Sequence, residues 1–236
     1  MLPENSLLWT RTAGFIAGAS VFWMQYFDLK DYLHPEPRRM LWLGYFLGAL
    51  SAGAALGVYW LVEKLGGPDS PGFTTHSILL YCFLVVGPIE EGMKYLFARV
   101  FIFTSPQFDE PIDGLVYSSA IAIGFASVES LIYAPMLDWP HELARVIVAP
   151  LTHSLFSCIW GFGTAYALLQ NTRSSLQTLL QFVSLAAAVF AHGAYDALLL
   201  SKNATFLASG IALVIWAFLI GYARRLIRIP ERCVTS

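Results

Sequence analysis

The sequence predicts an all-α fold, a polytopic bundle of about seven transmembrane helices. The first observation is composition: 57% of the 236 residues are hydrophobic and only 13% are charged, whereas a soluble domain carries about 25% charged residues. The second is that apolar stretches of about 20 residues, long enough to cross a bilayer, recur along the chain. The third is that the connections between them are short. We therefore expect a single integral membrane domain over residues 1–236.

The predicted spans are separated by loops that carry most of the charged residues. Two of the spans, residues 40–62 and 204–223, contain no charged residue at all. Residues 63–72 are rich in glycine and proline, which predicts a turn. The predicted spans cover residues 7–27, 40–62, 76–103, 112–136, 144–170, 175–200 and 204–223.

The distribution of lysine and arginine predicts the orientation, because cytoplasmic loops carry an excess of both. With seven spans, the side of the N-terminus holds Arg11, Lys64, Arg145 and Lys202. The opposite side holds Lys30, Arg38, Arg39, Arg99, Arg173, Arg224, Arg225, Arg228 and Arg232. We therefore expect a multi-pass protein of the cell membrane with its N-terminus outside and its C-terminus in the cytoplasm. The basic tail then acts as a topology signal, and no nucleic-acid partner is expected.

Seven ionisable side chains lie well inside the predicted spans. A charge at the bilayer centre costs about 2.5–3.5 kcal/mol, so a chain that keeps several of them has paired them or uses them. The seven residues are Glu90, Glu91, Lys94, Glu129, His153, His192 and Asp196. We interpret them as the members of one functional site.

Helical spacing groups five of these residues into two clusters. Glu90 and Lys94 are four residues apart and Glu91 and Lys94 three apart, so their side chains meet on one face of a helix. One lysine cannot neutralise two carboxylates, which leaves one glutamate as a candidate general base. His192 and Asp196 are also four residues apart, and a carboxylate at that spacing can orient an imidazole.

Glu129 and His153 each lie alone in a predicted span, and each has a structural as well as a functional interpretation. Glu129 can serve as a hydrogen-bonded group between helices, and His153 can serve as a packing residue. Glutamates and histidines around a common wet cavity are also the groups that activate water. Both interpretations stay open from spacing alone.

Three motifs occur in order along the chain. Residues 90–94 read EEGMK, residues 125–129 read FASVE and residues 192–196 read HGAYD. These motifs resemble the E-E-x-x-K, F-x-x-x-E and H-x-x-x-D pattern of the PrsW family of intramembrane proteases, relatives of the CAAX prenyl proteases and of bacteriocin-processing enzymes. The resemblance covers about residues 87–200, within a motif-bearing core of about residues 76–200.

The resemblance implies an endopeptidase that hydrolyses membrane-associated proteins. In bacterial members of the family the substrate is an anti-sigma factor, which receives its first cut outside the cell. The positions that the resemblance carries over as catalytic are Glu90, Glu91, Lys94, Glu129, His153, His192 and Asp196. The CAAX proteases have F-x-x-x-H where this chain has Glu129, so CAAX processing is not expected.

The expected mechanism is hydrolysis without an acyl-enzyme, because no Ser–His or Cys–His pairing stands out. Glu90 or Glu91 would take a proton from water, and His192, oriented by Asp196, would stabilise the oxyanion or protonate the leaving amine. A Zn²⁺ ion is also compatible with the residue types, although the sequence has no H-E-x-x-H motif. The candidate zinc ligands are Glu91, Glu129, His153 and His192. Metal-dependent and metal-free hydrolysis both stay open.

Two other functions use the same residue types. Proton-coupled transporters also keep ionisable residues inside the membrane, although this sequence lacks the inverted repeat that many carriers show. A non-catalytic membrane scaffold would keep the same groups as buried structural polarity. As partners we expect a membrane-anchored protein substrate and the lipid bilayer, while the cut site and the oligomeric state stay open.

Overall fold

The computed structural model describes residues 4–31, 34–67, 75–169 and 173–200 and three further positions, Gly210, Val214 and Ala217. In this part of the chain all regular structure is helical, as predicted. The helices are α1 (Glu4–Asp28), α2 (Arg38–Lys64), α3 (Thr75–Tyr81), α4 (Gly87–Phe101), α5 (Asp113–Tyr133), α6 (Trp139–Leu169) and α7 (Ser174–Leu200). A π-helical turn, Cys82–Val86, joins α3 to α4, and a 3-10 turn, Ala134–Met136, extends α5.

Four of these helices are long and apolar enough to cross a membrane: α2, α5 with its 3-10 turn, α6 and α7. Their bounds agree with four predicted spans to within five residues. The prediction of about seven spans is not confirmed. α1 covers the first predicted span but is less apolar than these four helices, and the π-helical turn divides the third predicted span into two short helices. The last predicted span, residues 204–223, lies outside the described residues except for three isolated positions.

The π-helical turn and the start of α4 lie directly against α7. Pro88 lies in the first turn of α4, directly after the π-helical turn, and has no backbone N–H to donate to the preceding turn. A Cβ atom on Gly87 would lie 2.6 Å from the carbonyl oxygen of Val189, and one on Gly193 would lie 2.8 Å from that of Cys82. Glycine at both positions therefore allows the close approach, which brings the two glutamates of α4 next to the C-terminal half of α7.

α5 is the central helix of the bundle, and 16 of its 21 residues are buried. Its contact with α2 includes close approaches of the two backbones. A Cβ atom on Gly48 would lie 1.9 Å from the carbonyl oxygen of Ile121, and one on Gly124 would lie 1.9 Å from that of Tyr45. Small residues at helix interfaces favour association in a membrane because they let backbones pack closely. The glycines thus fix the separation of α2 and α5.

α6 and α1 pack on the remaining faces of α5. The contact of α5 with α6 again depends on glycine, since Cβ atoms on Gly114 and Gly161 would lie 2.2 Å and 2.1 Å from each other's carbonyl oxygens. α1 is joined to α6 by the buried Glu142, whose carboxylate accepts hydrogen bonds from Arg11 at 2.5 Å and from the hydroxyl of Thr12. α5 is therefore enclosed by three helices, and α4 and α7 complete the bundle beside α6.

We expect Gly48→Ala to lower the free energy of unfolding by about 1–3 kcal/mol, because the new methyl group meets the backbone of α5. Gly53→Ala on the same helix is the matched control, since a Cβ atom there has no neighbour within 4 Å. The control should be neutral or stabilising by up to about 1 kcal/mol, because alanine favours a helix. Unfolding of both purified variants in detergent measures the difference. Equal stability of the two would contradict the backbone contact.

Candidate active site

The structure brings all seven ionisable residues predicted from the sequence into one connected network. It lies where α4, α5, α6 and α7 meet. α4 contributes Glu90, Glu91 and Lys94, α5 contributes Glu129, α6 contributes His153, and α7 contributes His192 and Asp196. Four helices are thus held together around a polar centre, as the high cost of isolated charges in a membrane requires.

Glu91 is fully buried and accepts four hydrogen bonds. Its Oε1 accepts from Lys94 Nζ at 2.8 Å and from His192 Nδ1 at 2.9 Å. Its Oε2 accepts from Ser157 Oγ at 2.9 Å and from Trp160 Nε1 at 2.8 Å. These donors saturate the carboxylate, so Glu91 orients its neighbours and offers no free oxygen to water or to a metal ion.

Ser157 and Trp160 are site residues that sequence reasoning missed. They follow His153 on α6 by four and seven residues, so all three side chains project from the same face of the helix. That spacing from His153 was the only feature of the sequence that could have indicated the two residues. Serine and tryptophan carry no charge, however, and both are common in membrane helices, so they did not stand out.

The imidazole of His192 is oriented by Glu91. Because Nδ1 donates to the Glu91 carboxylate, Nε2 is left facing Oδ2 of Asp196 at 3.4 Å and Oε2 of Glu90 at 3.7 Å. The ring also stacks on Phe156, with ring centroids 5.1 Å apart. The expectation that Asp196 orients His192 stays a prediction: Asp196 lies next to Nε2, the nitrogen that faces the centre of the site, while Glu91 holds Nδ1.

The imidazole of His153 is oriented by Glu129. Its Nε2 lies 2.8 Å from Oε2 of Glu129 and donates to that carboxylate. This leaves Nδ1 as an acceptor, which lies 2.9 Å from Lys94 Nζ and 3.8 Å from Oε2 of Glu90. Both histidines thus direct one ring nitrogen toward Glu90, and each is held by a carboxylate on its other nitrogen.

Glu90 has a buried oxygen with no hydrogen-bond partner among the described residues. Its Oε1 accepts from the hydroxyl of Tyr59 at 3.1 Å, while Oε2 is unpaired. One ligand atom from each of Glu90, His153 and His192 lies within 4.8 Å of the other two. A carboxylate with two imidazoles is a donor set that catalytic zinc sites use. The residues present therefore fit a metal ion.

This group differs from the ligand set offered by the sequence. Glu90 belongs to it together with His153 and His192. Both oxygens of Glu91 are held by hydrogen bonds, and both oxygens of Glu129 are held as well, by His153 and by Arg145. Glu91 and Glu129, which the sequence offered as ligands, thus lie beside this group and orient its two histidines.

The site is open to the outside of the bundle at Glu129 and Asp196, whose side chains are 21% and 24% exposed. Arg145 lies at this opening, with Nη2 2.8 Å from Oε1 of Glu129 and its guanidinium over the ring of Tyr133. Sequence reasoning used Arg145 only as an orientation signal. Its place in the site follows from packing of α6 against the end of α5, which no local pattern indicates.

A family model described as PrsW family intramembrane metalloprotease matches residues 36–223. The chain belongs to this family. Protease PrsW of Geobacillus kaustophilus (strain HTA426) is 30% identical over 194 residues, 81% of this chain and 80% of the relative. Protease PrsW of Bacillus subtilis (strain 168) is 27% identical over 188 residues, 80% of this chain and 81% of the relative. No solved structure matches the chain.

Membership of the PrsW family confirms the resemblance seen in the three motifs. It identifies the chain as an intramembrane protease, a peptide hydrolase, and so decides against a proton-coupled carrier and a non-catalytic scaffold. The family's description as metalloproteases agrees with the donor group formed by Glu90, His153 and His192.

We expect Lys94→Met to lower the free energy of unfolding by about 3 kcal/mol, because it leaves the buried Glu91 carboxylate without its cation. The double variant Lys94→Met/Glu91→Gln should recover part of this loss, since the unpaired charge is gone. Lys64→Met, at the exposed end of α2, is the control and should have little effect. Unfolding in detergent measures all three. A Lys94→Met variant as stable as the control would show that the pair does not stabilise the bundle.

Proposed function

We propose that the protein hydrolyses a peptide bond of a membrane-anchored protein substrate at the cluster formed by Glu90, His153, His192 and Asp196. The observation that carries this proposal is the unpaired, buried Oε2 of Glu90, which faces nitrogen atoms of both histidines at 3.7–3.8 Å. A buried acceptor without a donor is costly in a folded protein. Such an arrangement is expected where a ligand or a reacting group completes the site.

In this proposal Glu90, His153 and His192 hold a Zn²⁺ ion. When bound, Zn²⁺ supplies the Lewis acidity that activates water and polarises a peptide carbonyl. The side chains around the three ligands support this assignment, because a histidine that binds a metal commonly donates its other N–H to a carboxylate. Glu91 accepts from His192 and Glu129 accepts from His153 in this way.

Asp196 is the side chain that we assign to proton transfer. Its Oδ2 lies 3.4 Å from Nε2 of His192, and the carboxylate is partly exposed. Glu129 is also partly exposed, but its two oxygens are engaged by Arg145 and His153. Asp196 would take a proton from the attacking water as the C–O bond forms and return it to the leaving amine as the C–N bond breaks.

Lys94, Glu91 and Glu129 act as positioning residues in this proposal. Lys94 supplies a fixed positive charge next to Glu91 at 2.8 Å and Glu90 at 3.8 Å. Glu91 and Glu129 hold the two imidazoles so that Nε2 of His192 and Nδ1 of His153 face Glu90, and Lys94 lies 2.9 Å from Nδ1 of His153. A geometry set in advance by such contacts costs no reorganisation during the reaction.

The proposed substrate is a membrane-anchored protein, such as an anti-sigma factor, cut near the outer face of the cell membrane. Glu129 and Asp196, the exposed members of the site, lie near the C-terminal ends of α5 and α7. The distribution of lysine and arginine predicts that these ends face outside, with the C-terminus in the cytoplasm.

We expect Glu90→Gln to lose both bound metal and cleavage, because an amide is a poor replacement for a charged ligand. Purified wild type should contain about one metal ion per chain at this site, and the variant only background levels, measured by elemental analysis. Glu63→Gln, at an exposed position of α2, is the matched control and should resemble wild type. If Glu90→Gln keeps its metal and cleaves a single-span substrate, the cluster is not the active site.

We expect Asp196→Asn to lower the cleavage rate about 100-fold or more while leaving the metal content unchanged, because it removes a proton acceptor and no metal ligand. The contrast with Glu90→Gln separates proton transfer from metal binding. Cleavage is measured on the same single-span substrate and normalised to folded protein. Cleavage at the wild-type rate would place the proton acceptor elsewhere, whereas loss of the metal would make Asp196 a ligand.

A further inference from the structure

A second group of carboxylates lies at the end of α5 away from Glu129. Asp31 follows α1, Glu36 precedes α2, and Asp113 is the first residue of α5. One oxygen atom of each lies within 4.8 Å of the other two. Asp113 and Glu129 are 16 residues apart on one helix, about 24 Å along its axis. The group is therefore separate from the proposed active site.

All three of these side chains are buried, with residue exposures of 2% for Asp31, 8% for Glu36 and 1% for Asp113. Two of their oxygens, Oδ2 of Asp31 and Oδ1 of Asp113, are buried and have no hydrogen-bond partner among the described residues. The other oxygen of Asp113 accepts backbone N–H groups of Asp109 and Glu110 at 2.8 Å and 2.7 Å. The carboxylates are thus fixed by the loop, while one oxygen of Asp31 and one of Asp113 stay unpaired.

The electrostatic setting of the group is unfavourable for three ionised carboxylates. Burial and the nearby carboxylates of Glu110 and Glu36 raise the pKa of Asp31 to about 6. Burial also raises the pKa of Glu36, while its side-chain contacts with Tyr117 and Asp113 oppose this shift. Buried charges of one sign are costly unless an opposite charge lies between them.

We propose that Asp31, Glu36 and Asp113 bind a divalent metal cation of the oxygen-preferring class, represented by Mg²⁺, Ca²⁺ and Mn²⁺. Carboxylate oxygens are the ligands that these hard cations prefer. Ligand atoms of His34 and Glu110, which pair with each other at 2.7 Å, also lie within 4.8 Å of Asp31. The donor set differs from that of the proposed active site, which contains two imidazoles.

The proposed cation has a structural consequence. It ties the α1–α2 connection, which contains Asp31 and Glu36, to the first residue of α5, Asp113. α5 is the central helix and carries Glu129 near its other end. A cation at Asp113 would therefore hold the position of the helix on which the bundle packs.

Thermal unfolding of the purified full-length protein tests the proposal. The Glu90→Gln variant is used as the background, so that a metal at the proposed active site does not contribute. After treatment with a chelator, saturating Mg²⁺, Ca²⁺ or Mn²⁺ should raise Tm by roughly 5–10 °C for at least one of the three ions. Adding Asp31→Asn should abolish the rise. Adding Asp138→Asn, an exposed aspartate in the connection after α5, should leave it intact.

Glu36→Gln provides a second test in case Asp31→Asn does not fold, since the amide still accepts a hydrogen bond from Tyr117. It should also abolish the rise in Tm. The proposal is overturned if none of the three cations changes Tm, or if the rise survives both substitutions. It is also overturned if the parent does not respond to cations and both variants are more stable than the parent. That result would mean that the carboxylates share a proton and do not bind a metal ion.

Discussion

The constraint on which the rest of the structure depends is the need to satisfy Glu91, a fully buried carboxylate. A buried charge is tolerated only when it is paired and hydrogen-bonded, and one helix cannot supply enough donors. Lys94 comes from the same helix, Ser157 and Trp160 come from α6, and His192 comes from α7. Satisfying one side chain thus fixes three helices relative to one another, and the glycine contact of α4 with α7 makes the required approach possible.

The same contacts divide the site into a fully buried inner part and a partly exposed outer part. Glu91 and Lys94 are fully buried, whereas Glu129 and Asp196 are partly exposed. The saturated inner groups cannot exchange partners with water, so they keep the histidines in place. The exposed groups are accessible to water. A peptide hydrolase inside a bilayer needs both a fixed, buried part and a part that water reaches. Its substrate lies in the membrane, where water is scarce, and water is its second reactant.

The sequence predicted the helical class, the bounds of four spans and the seven ionisable residues of the site, because these depend on one-dimensional properties: hydropathy, charge and helical spacing. It did not predict which glutamate faces the centre, since Glu90 and Glu91 are adjacent and differ only by about 100° of rotation around the helix. It also missed the uncharged donors and the arginine at the opening of the site, which enter the site through packing between distant helices. These were Tyr59, Ser157, Trp160 and Arg145.

The charge of the site is compatible with the divalent cation that we propose there. Its four carboxylates belong to Glu90, Glu91, Glu129 and Asp196, and its two basic side chains are Lys94 and Arg145. With both histidines neutral, as metal binding requires, two negative charges stay uncompensated. Uncompensated charge is costly in a bilayer. A divalent ion at Glu90 would cancel it, so the charge of the network agrees with the metal ion that we propose there.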